Sequence, residues 1–524
     1  MLHDFTKSGS NSLAVSGSRT ENGQAFMVSD PHLGIFAPNM WLIVGYKSPS
    51  FHNIGMQIPG IPVMLLGRNE YFAWGGTNMR SISSHIFEID ENTLDIISKP
   101  DTIKVRWLSD RPITLRESVY GTIVSDAPML KKLNKTYAMH WLGHKPTYEV
   151  TSFLRSNMAR NFEEFRSAFG NYQVSGQNML YADEEGNIGQ IMAYGQPVLK
   201  QTEATLDLIK QSDNPVVAVR LPDQHPYVFN PQEGFIASAN NLPVVTDIPI
   251  AYQFTGFSRM ERMAWYFKKE KVSFEDLRDL QLDTYSVQNV KVRDYIIDRA
   301  SLTIKDVEAD TLLWHTLRIW DGYYAANTRG PVAFEVFAYH LAEQVYNAQI
   351  LNEDLRNKYF DGEYWAWDLL RTLENLTNED FTKFLLKAYN LAIADFEKYK
   401  TWGCMHQMQF GPPQAMLPLV GKRFILDEFP LNGTSHTINK SSHQFTSEKH
   451  RIGYGSNSRH ISDMSNKDAN YFVLLGGQDG WTSSPHNNDQ VTLWQMGEYF
   501  QFPLRVETIQ REFTHRVFRY KGEK

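Results

Sequence analysis

A cluster of small polar residues set directly before an apolar strand is the feature that most constrains this chain. Residues 9–17 read GSNSLAVSG, so a serine turn leads straight into Leu13-Ala14-Val15. We interpret Ser10 as a nucleophile, because a base must take the proton of a serine hydroxyl and the free amine of the same residue is one such base. A free amine requires scission of the Gly9–Ser10 bond, and glycine leaves the backbone free for that attack. A plain turn is the alternative interpretation of these nine residues.

The composition indicates a globular protein and excludes some partners. The 524 residues suffice for two to four domains or for one large body with insertions. With 52 basic and 59 acidic residues the net charge is -7, so we expect no nucleic-acid partner. No apolar run is long enough to span a bilayer. Residues 1–9 lack the apolar core of a signal peptide, so either the protein stays inside or a targeting segment lies on another piece.

The sequence pattern changes twice along the chain. Before residue 272, short apolar runs interrupted by glycine and proline are typical of strands. From 272 to 400, aromatic residues and leucines recur at helical spacing. This spacing predicts helices over 306–325, 331–348, 364–375 and 379–399. Beyond Trp402 the chain returns to strands and loops.

Two predicted strands end in residues suited to contact a ligand. The segment Phe72–Asn78 contains Gly75 and Gly76, where a ligand can approach the backbone closely or where the strand merely bulges. A second short strand ends at Asn240 and Asn241. Paired asparagines usually close a turn, but an asparagine in a cleft can donate its amide hydrogen to a developing oxyanion, a role worth roughly 3 kcal/mol.

The order of these segments resembles the penicillin acylase family of N-terminal nucleophile hydrolases, which includes cephalosporin and acyl-homoserine lactone acylases. The resemblance runs from Gly9 to about Leu504 and corresponds to the family's β subunit. Its motifs follow the family's order: Ser10-Asn11, Asp30-Pro31-His32-Leu33, Pro59-Gly60-Ile61-Pro62, Gly67-Arg68-Asn69, Trp74-Gly75-Gly76-Thr77-Asn78, Ala182-Asp183, Ser238-Ala239-Asn240-Asn241, Arg259, Arg262, Gly455-Ser456 and Ser484-Pro485-His486.

The resemblance implies an α+β fold, the αββα sandwich of N-terminal nucleophile hydrolases with a largely helical insertion. Residues 1–9 would be the remnant of a propeptide or spacer. Residues 10–271 would form the core with the nucleophile, residues 272–400 the helical insertion, and residues 401–524 the strands and loops that complete the core.

The resemblance also implies a catalytic set. Ser10 would supply both hydroxyl and α-amine, and His32 would form a hydrogen bond near that amine and orient it. The backbone N–H of Asn78 and the side chain of Asn240 would form the oxyanion hole. Arg262 would support Asn240 and the amine, with Arg259, one helical turn away, as the alternative. The competing interpretations are ordinary turn residues for His32, Asn78 and Asn240, and an ordinary ion pair for Arg262.

The substrate pocket and the metal content are likewise implied by the resemblance. Leu33, Leu65, Leu66 and Gly76 align near family pocket positions, which implies an apolar acyl group. Ile82 and His85 stand where the family often has aspartates that help to hold calcium. Calcium prefers carboxylate and carbonyl oxygens, so we expect no metal site, and the implied reaction needs no organic cofactor.

The implied function is hydrolysis of an N-acyl group from a small amide, such as a β-lactam or an acyl-homoserine lactone. The family is commonly exported, which implies a periplasmic or secreted location. The family's α subunit precedes the nucleophile and helps to wall the acyl pocket, whereas nine residues precede Ser10 here. One alternative is therefore an incomplete or inactive β-type half that needs a separate α chain. Another is a non-catalytic binding protein whose aromatic residues contact sugars or peptides.

Overall fold

The computed structural model describes residues 9–128, 130, 134–201, 209–210, 215–303, 311–361 and 364–513. Strands that precede the main helical segment are β1 Gly9–Val15, β2 Phe26–Gly34, β3 Leu42–Lys47, β4 His52–Gln57, β5 Leu66–Asn69, β6 Phe72–Asn78, β7 Ser84–Ile89, β8 Ile97–Ile103, β9 Arg111–Ser118, β10 Gly121–Ile123, β11 Thr136–Trp141, β12 Gln177–Asp183, β13 Ile188–Ala193, β14 Gln196–Leu199, β15 Ile209–Lys210, β16 Val216–Arg220, β17 Val228–Phe229 and β18 Phe235–Ser238. Strands that follow it are β19 His406–Phe410, β20 Asp427–Pro430, β21 Ser441–Ser442, β22 His450–Arg451, β23 Tyr454–Ser456, β24 Ser458–Asp463, β25 Asn470–Leu474 and β26 Phe500–Gln501.

The helices are α1 Glu149–Met158, α2 Phe162–Ala168, α3 Phe257–Tyr266, α4 Phe274–Gln281, α5 Val287–Thr303, α6 Leu312–Ile319, α7 Gly330–Gln349, α8 Glu353–Asp361, α9 Trp365–Glu374, α10 Asn378–Lys398, α11 Trp402–Met405, α12 Val491–Met496 and α13 Val506–Glu512. Among the described residues, none of these helices combines the length and the hydropathy needed to cross a membrane.

Two antiparallel sheets carry the predicted site. The first sheet has the order β18-β1-β2-β24-β25-β26, and β23 joins it by pairing with both β2 and β21. The second sheet has the order β17-β13-β12-β6-β5-β4-β3. Strand β1 therefore lies inside the first sheet between β18 and β2, and β6 lies inside the second between β12 and β5.

The alternation of residues along β1 explains why the sheets stack. Successive side chains of a strand point to opposite faces. Ala14 faces the second sheet and packs against Ala73 and Leu180. Leu13 and Val15 face the other way and pack in a cluster with residues of α3 and α4. The first sheet is thus buried on both faces.

The second sheet is also covered on its outer face. Trp74 and Tyr181 pack there against Phe162 and Phe165 of α2. The layers run helix, sheet, sheet, helix, which is the αββα sandwich expected from the sequence.

Residues of α5, α6, α7, α9, α10 and α11 form a separate apolar cluster, and α8 packs against it through Tyr359 and Phe360. All of these helices except α11 lie within the predicted helical segment. Helices α7, α9 and α10 lie where the spacing predicts them. Helix α6 covers only the middle of the predicted 306–325, of which residues 306–310 lie outside the described part of the chain. Helices α5 and α8 are additions within the segment. The domain boundaries at 271 and 400 stay predictions.

Gly75 sets the distance between the two sheets beside the start of β1. A Cβ atom at this position would lie 2.5 Å from Ser29 Oγ and 2.7 Å from Ser12 Oγ, both on the first sheet. These separations are far inside van der Waals contact, so only glycine lets β6 approach β1 and β2 this closely.

We expect Gly75→Ala to lower the free energy of unfolding by about 1–3 kcal/mol, because an added methyl group overpacks the space between the sheets. Gly453→Ala is the matched control, since a Cβ at Gly453 meets no atom within 4 Å and the substitution equally restricts the unfolded chain. Thermal unfolding of both variants measures the difference. Equal midpoints for the two variants would contradict this account of Gly75.

Candidate active site

Ser10 lies at the second position of β1 and is 7% exposed. Its Oγ donates a short hydrogen bond to the carbonyl oxygen of Gly9. Its backbone N–H donates to Asn240 Oδ1 at 2.9 Å. With Gly9 and Ser10 joined by a peptide bond, the nitrogen that would become the α-amine is a peptide N–H. The hydroxyl already lies beside the carbonyl group that scission would attack.

Asn240 connects the end of β6 to the start of β1. It follows β18 and adopts a backbone φ of 68°, a conformation that asparagine tolerates better than most residues. Its Nδ2 donates to Asn78 O at 2.7 Å, and its Oδ1 accepts from the Ser10 N–H. The structure thus brings the predicted residues Ser10, Asn78 and Asn240 together. The role of the Asn78 N–H stays a prediction.

The arginine at this site is Arg259. Its NH1 donates to Ser10 O and to Asn11 Oδ1, each at 2.7 Å, and its NH2 donates to Asn240 Oδ1 at 3.0 Å. Gly256 precedes α3 with a φ of 78°, and a Cβ there would lie 1.8 Å from Ala239 O. This glycine lets the start of α3 pack against the strand end that carries Asn240, which places Arg259 within reach.

The expected contact of Arg262 with Asn240 is therefore corrected in favour of the alternative, Arg259. Arg262 lies about 4.5 Å further along the axis of α3. Its NH2 pairs with Asp283 Oδ2 at 2.7 Å, and its guanidinium lies over the rings of Trp265 and Tyr285. Arg262 is the ion-pair partner that the competing interpretation described.

His32 also departs from the expected contact. In the β1–β2 ladder it pairs with Gly9, whereas Ser10 pairs with Pro31. Neighbouring residues of a strand face opposite ways, so the His32 ring and the Ser10 hydroxyl lie on opposite faces of the sheet. The Ser10 N–H bonds to Asn240 instead of His32.

His32 belongs instead to a buried polar group behind Ser10. Its Nε2 lies 2.9 Å from Asp30 Oδ2 and 3.2 Å from Asn11 Nδ2. Asn11 also donates to Asp30 at 3.0 Å and accepts from Arg259. Burial lowers the pKa of His32 to about 4, although the Asp30 charge acts in the opposite direction. Asn11 and Asp30 lie two residues from the buried Leu13 and Val28 and so share their faces of β1 and β2, which is the signal in the sequence for buried polar partners.

The predicted pocket residues fall into two places. Leu33, Leu65 and Leu66 join one apolar cluster at the β3–β5 end of the second sheet. Gly76 does not join them, since a Cβ at Gly76 would meet Asn178 O and Met179 Sδ at 2.9 Å on the outer face of that sheet. Apart from this cluster, a narrow recess borders Arg259, with Phe257 and Trp367 among its walls.

Comparison with known proteins gives a consistent result. A family model described as Penicillin amidase matches residues 2–511. Penicillin acylase 2 proenzyme of Pseudomonas sp. (strain SE83) is 22% identical over 94% of this chain and 66% of its own length. An acyl-homoserine lactone acylase, QuiP, of Pseudomonas syringae pv. syringae is 21% identical over 96% of this chain and 67% of its own. The chain thus spans about two thirds of the length of these curated relatives.

A solved structure confirms the fold. Thermostable penicillin G acylase from Alcaligenes faecalis superposes with a TM-score of 0.75 and 18% identity, covering 98% of this chain and 100% of that one. The resemblance stated from the sequence motifs is confirmed by the family match.

The buried His32 predicts an acid-dependent loss of stability. The pKa of His32 is about 4 in the folded protein, compared with an ordinary value of 6.5. Below pH 6.5 the unfolded chain therefore binds a proton at this histidine that the folded chain does not bind. The contribution of neutral His32 to the free energy of unfolding is fully present above pH 6.5 and is lost as the pH falls toward 4. The loss is about 2 kcal/mol at pH 5.

We expect His32→Asn to flatten the fall of the thermal midpoint between about pH 7.5 and pH 5. His144→Asn, at an exposed position, controls for the loss of any one histidine. An unchanged slope in His32→Asn would show that His32 is protonated in the folded protein or does not titrate in this range.

Proposed function

This chain belongs to the penicillin amidase family, and on that premise we propose that it hydrolyses an N-acyl amide with Ser10 as the nucleophile. The observation that carries the proposal is the environment of Ser10. Its hydroxyl contacts the Gly9 carbonyl oxygen while its nitrogen is held by Asn240 at 2.9 Å. Scission of the Gly9–Ser10 bond would leave a hydroxyl and an amine on one residue, which is the pair needed for a self-activated nucleophile.

The first step we propose is self-cleavage. Ser10 Oγ attacks the Gly9 carbonyl carbon, the C–N bond breaks, and the hydroxyl proton passes to the Ser10 nitrogen. Water then hydrolyses the resulting ester, which releases the Gly9 carboxylate and frees both groups of Ser10. The Pseudomonas sp. relative is named a proenzyme, which agrees with a processing step.

The second step is transfer of the acyl group. The Ser10 amine takes the hydroxyl proton, Oγ attacks the substrate carbonyl, and the oxyanion is stabilised by the Asn78 N–H and the Asn240 amide. Collapse expels the leaving amine with a proton, and water releases the acid. An unperturbed α-amine has a pKa of about 8, and the nearby Arg259 charge disfavours its protonated form, which keeps the base available near neutral pH.

We propose an apolar acyl group for the substrate. Leu33, Leu65 and Leu66 lie in a cluster that also contains Trp41 and Met56, and such side chains favour an aliphatic or aromatic acyl chain. The relatives are named for penicillin and for acyl-homoserine lactones, so both leaving groups are candidates here.

The second candidate is a β-type half that acts only with a separately encoded α chain. The relatives contain about a third of their length that this chain does not match, and in this candidate a second chain would supply that part. A half of this kind would still cleave at Ser10 if the residues needed for scission all lie within the described site.

Intact-mass measurement of the purified chain tests the nucleophile. We expect loss of residues 1–9 from the wild type and no loss from Ser10→Ala, because scission needs the Ser10 hydroxyl. Ser12→Ala is the matched control, since Ser12 is buried on the same strand two residues on and should leave cleavage unchanged.

Assays with N-phenylacetyl and N-acyl-homoserine lactone amides then separate the candidates. Cleavage together with acid release supports the acylase acting alone, and cleavage without acid release supports the β-type half. An uncleaved wild type that still releases acid would contradict the proposed nucleophile.

Substitutions of the two arginines of α3 should have different effects in the same assays. We expect Arg259→Met to slow scission and acid release by about 10²–10³-fold, because Asn240 loses the group that fixes its amide. Arg262→Met should instead lower thermal stability while leaving the rate within about tenfold, since it leaves the buried Asp283 carboxylate without its partner. Equal rate losses in the two variants would contradict the assignment of Arg259.

A further inference from the structure

Three buried histidines and a buried glutamate meet between α7 and the C-terminal strands. His406 begins β19 and pairs with His450 in the parallel β19–β22 ladder. His443 lies in the loop between β21 and β22, and Glu335 lies on α7. The four side chains are at most 3% exposed. One ring nitrogen from each histidine lies within 4.8 Å of those of the other two.

The hydrogen bonds of His406 and His450 fix their tautomers. His450 Nε2 lies 3.1 Å from Thr446 O, and a carbonyl oxygen only accepts, so Nε2 carries the hydrogen. Ser441 Oγ donates its single hydrogen to Asn432 O, so His406 Nε2 must donate to Ser441 Oγ at 2.9 Å. In both neutral rings the Nδ1 atom is therefore an acceptor.

These two acceptor atoms face each other. His406 Nδ1 and His450 Nδ1 are 3.2 Å apart, and two lone pairs at that distance repel unless a cation lies between them. Two nitrogens bound to one tetrahedral Zn²⁺ at about 2.0–2.1 Å would be separated by about 3.3 Å. The observed spacing matches that value.

The carboxylate of Glu335 would balance part of the positive charge of a cation bound between the histidines. Its Oε1 accepts from the Tyr324 hydroxyl at 2.8 Å, whereas its buried Oε2 has no hydrogen-bond partner. His443 Nε2 lies 3.8 Å from this oxygen, which is too far for a hydrogen bond. A buried carboxylate oxygen without a donor is costly, and a bound cation would compensate it.

We propose that His406, His450 and His443 bind a divalent transition-metal ion, most naturally Zn²⁺, with Glu335 as the fourth ligand or charge partner. Imidazole nitrogens suit Zn²⁺ and exclude Ca²⁺, which prefers oxygen ligands. The Nε2–H groups of His406 and His450 already donate to Ser441 and Thr446, as the second ring nitrogen of a metal-bound histidine usually does. His443 completes the site by moving roughly 1–1.5 Å toward the pair.

The bound ion would join three parts of the fold that are distant in sequence. Helix α7 belongs to the helical cluster, whereas β19 and β22 belong to the C-terminal segment. The site is separate from the residues that surround Ser10, so the proposal does not depend on the proposed acylase function. The sequence analysis expects no metal site, on the ground that Ile82 and His85 stand where the family often has aspartates, and the present proposal departs from that expectation.

The test uses untagged full-length protein, first dialysed against a chelator and then against buffer. After addition of ZnCl₂ and removal of free ion, we expect about one zinc per chain by mass spectrometry of the metal. The thermal midpoint should rise by about 2 °C or more, and CaCl₂ should not raise it. Co²⁺ in place of Zn²⁺ should give the visible absorption bands of a tetrahedral site.

His450→Gln should lower zinc retention at least about tenfold. His225→Gln is the matched control, because His225 is equally buried and its Nε2 bonds to Tyr194 O outside the cluster. If His450→Gln does not fold, His443→Gln and the wild-type Co²⁺ spectrum decide. Zinc retention by wild type below about a tenth of an ion per chain, or equal retention by the folded variant, overturns the proposal. A proton shared between His406 and His450 would give that first result.

Discussion

The geometry around Ser10 depends on one buried guanidinium. Arg259 donates to the Ser10 carbonyl, to Asn11 and to Asn240, and so holds β1, its own helix α3 and the end of β18 in one arrangement. These three acceptors are oxygens of neutral groups, and the guanidinium brings a positive charge close to the serine. The approach of α3 that makes this possible depends on Gly256, whose backbone conformation and lack of a side chain no other residue supplies at low cost.

The two faces of β1 have different roles at the site. Ser10 faces the second sheet, where Gly75 leaves room beside Ser12, while Asn11 faces the helical layer and contacts Asp30 and His32. The strand therefore exposes its hydroxyl toward the space between the sheets and anchors itself through polar contacts on the opposite face. Burial of that polar group is tolerable because its side chains bond to one another.

Much of the fold could be predicted from the pattern of apolar residues in the sequence, whereas much of the site could not. Helices α7 and α10 have continuous apolar stripes that predict them, whereas α5 makes its core contacts through the sparse series Val292, Ile296 and Ala300. Arg259 and Arg262 are one helical turn apart on α3, so which of them contacts Asn240 depends on the position of the helix along its own axis. Tertiary packing decides that position. The histidine cluster could not be predicted either, because the β19–β22 pairing brings His406 to His450 from a distant point in the sequence.

The contacts of Ser10 suit both the intact chain and the chain after the proposed scission. Asn240 Oδ1 accepts a hydrogen bond from the Ser10 nitrogen whether that atom is a peptide N–H or a neutral amine. Arg259 holds the carbonyl on the other side of the same residue, which scission of the preceding bond leaves in place. A site whose donors and acceptors need not rearrange between the two states loses little free energy to reorganisation, and this preorganisation lets one arrangement serve both self-cleavage and acyl transfer.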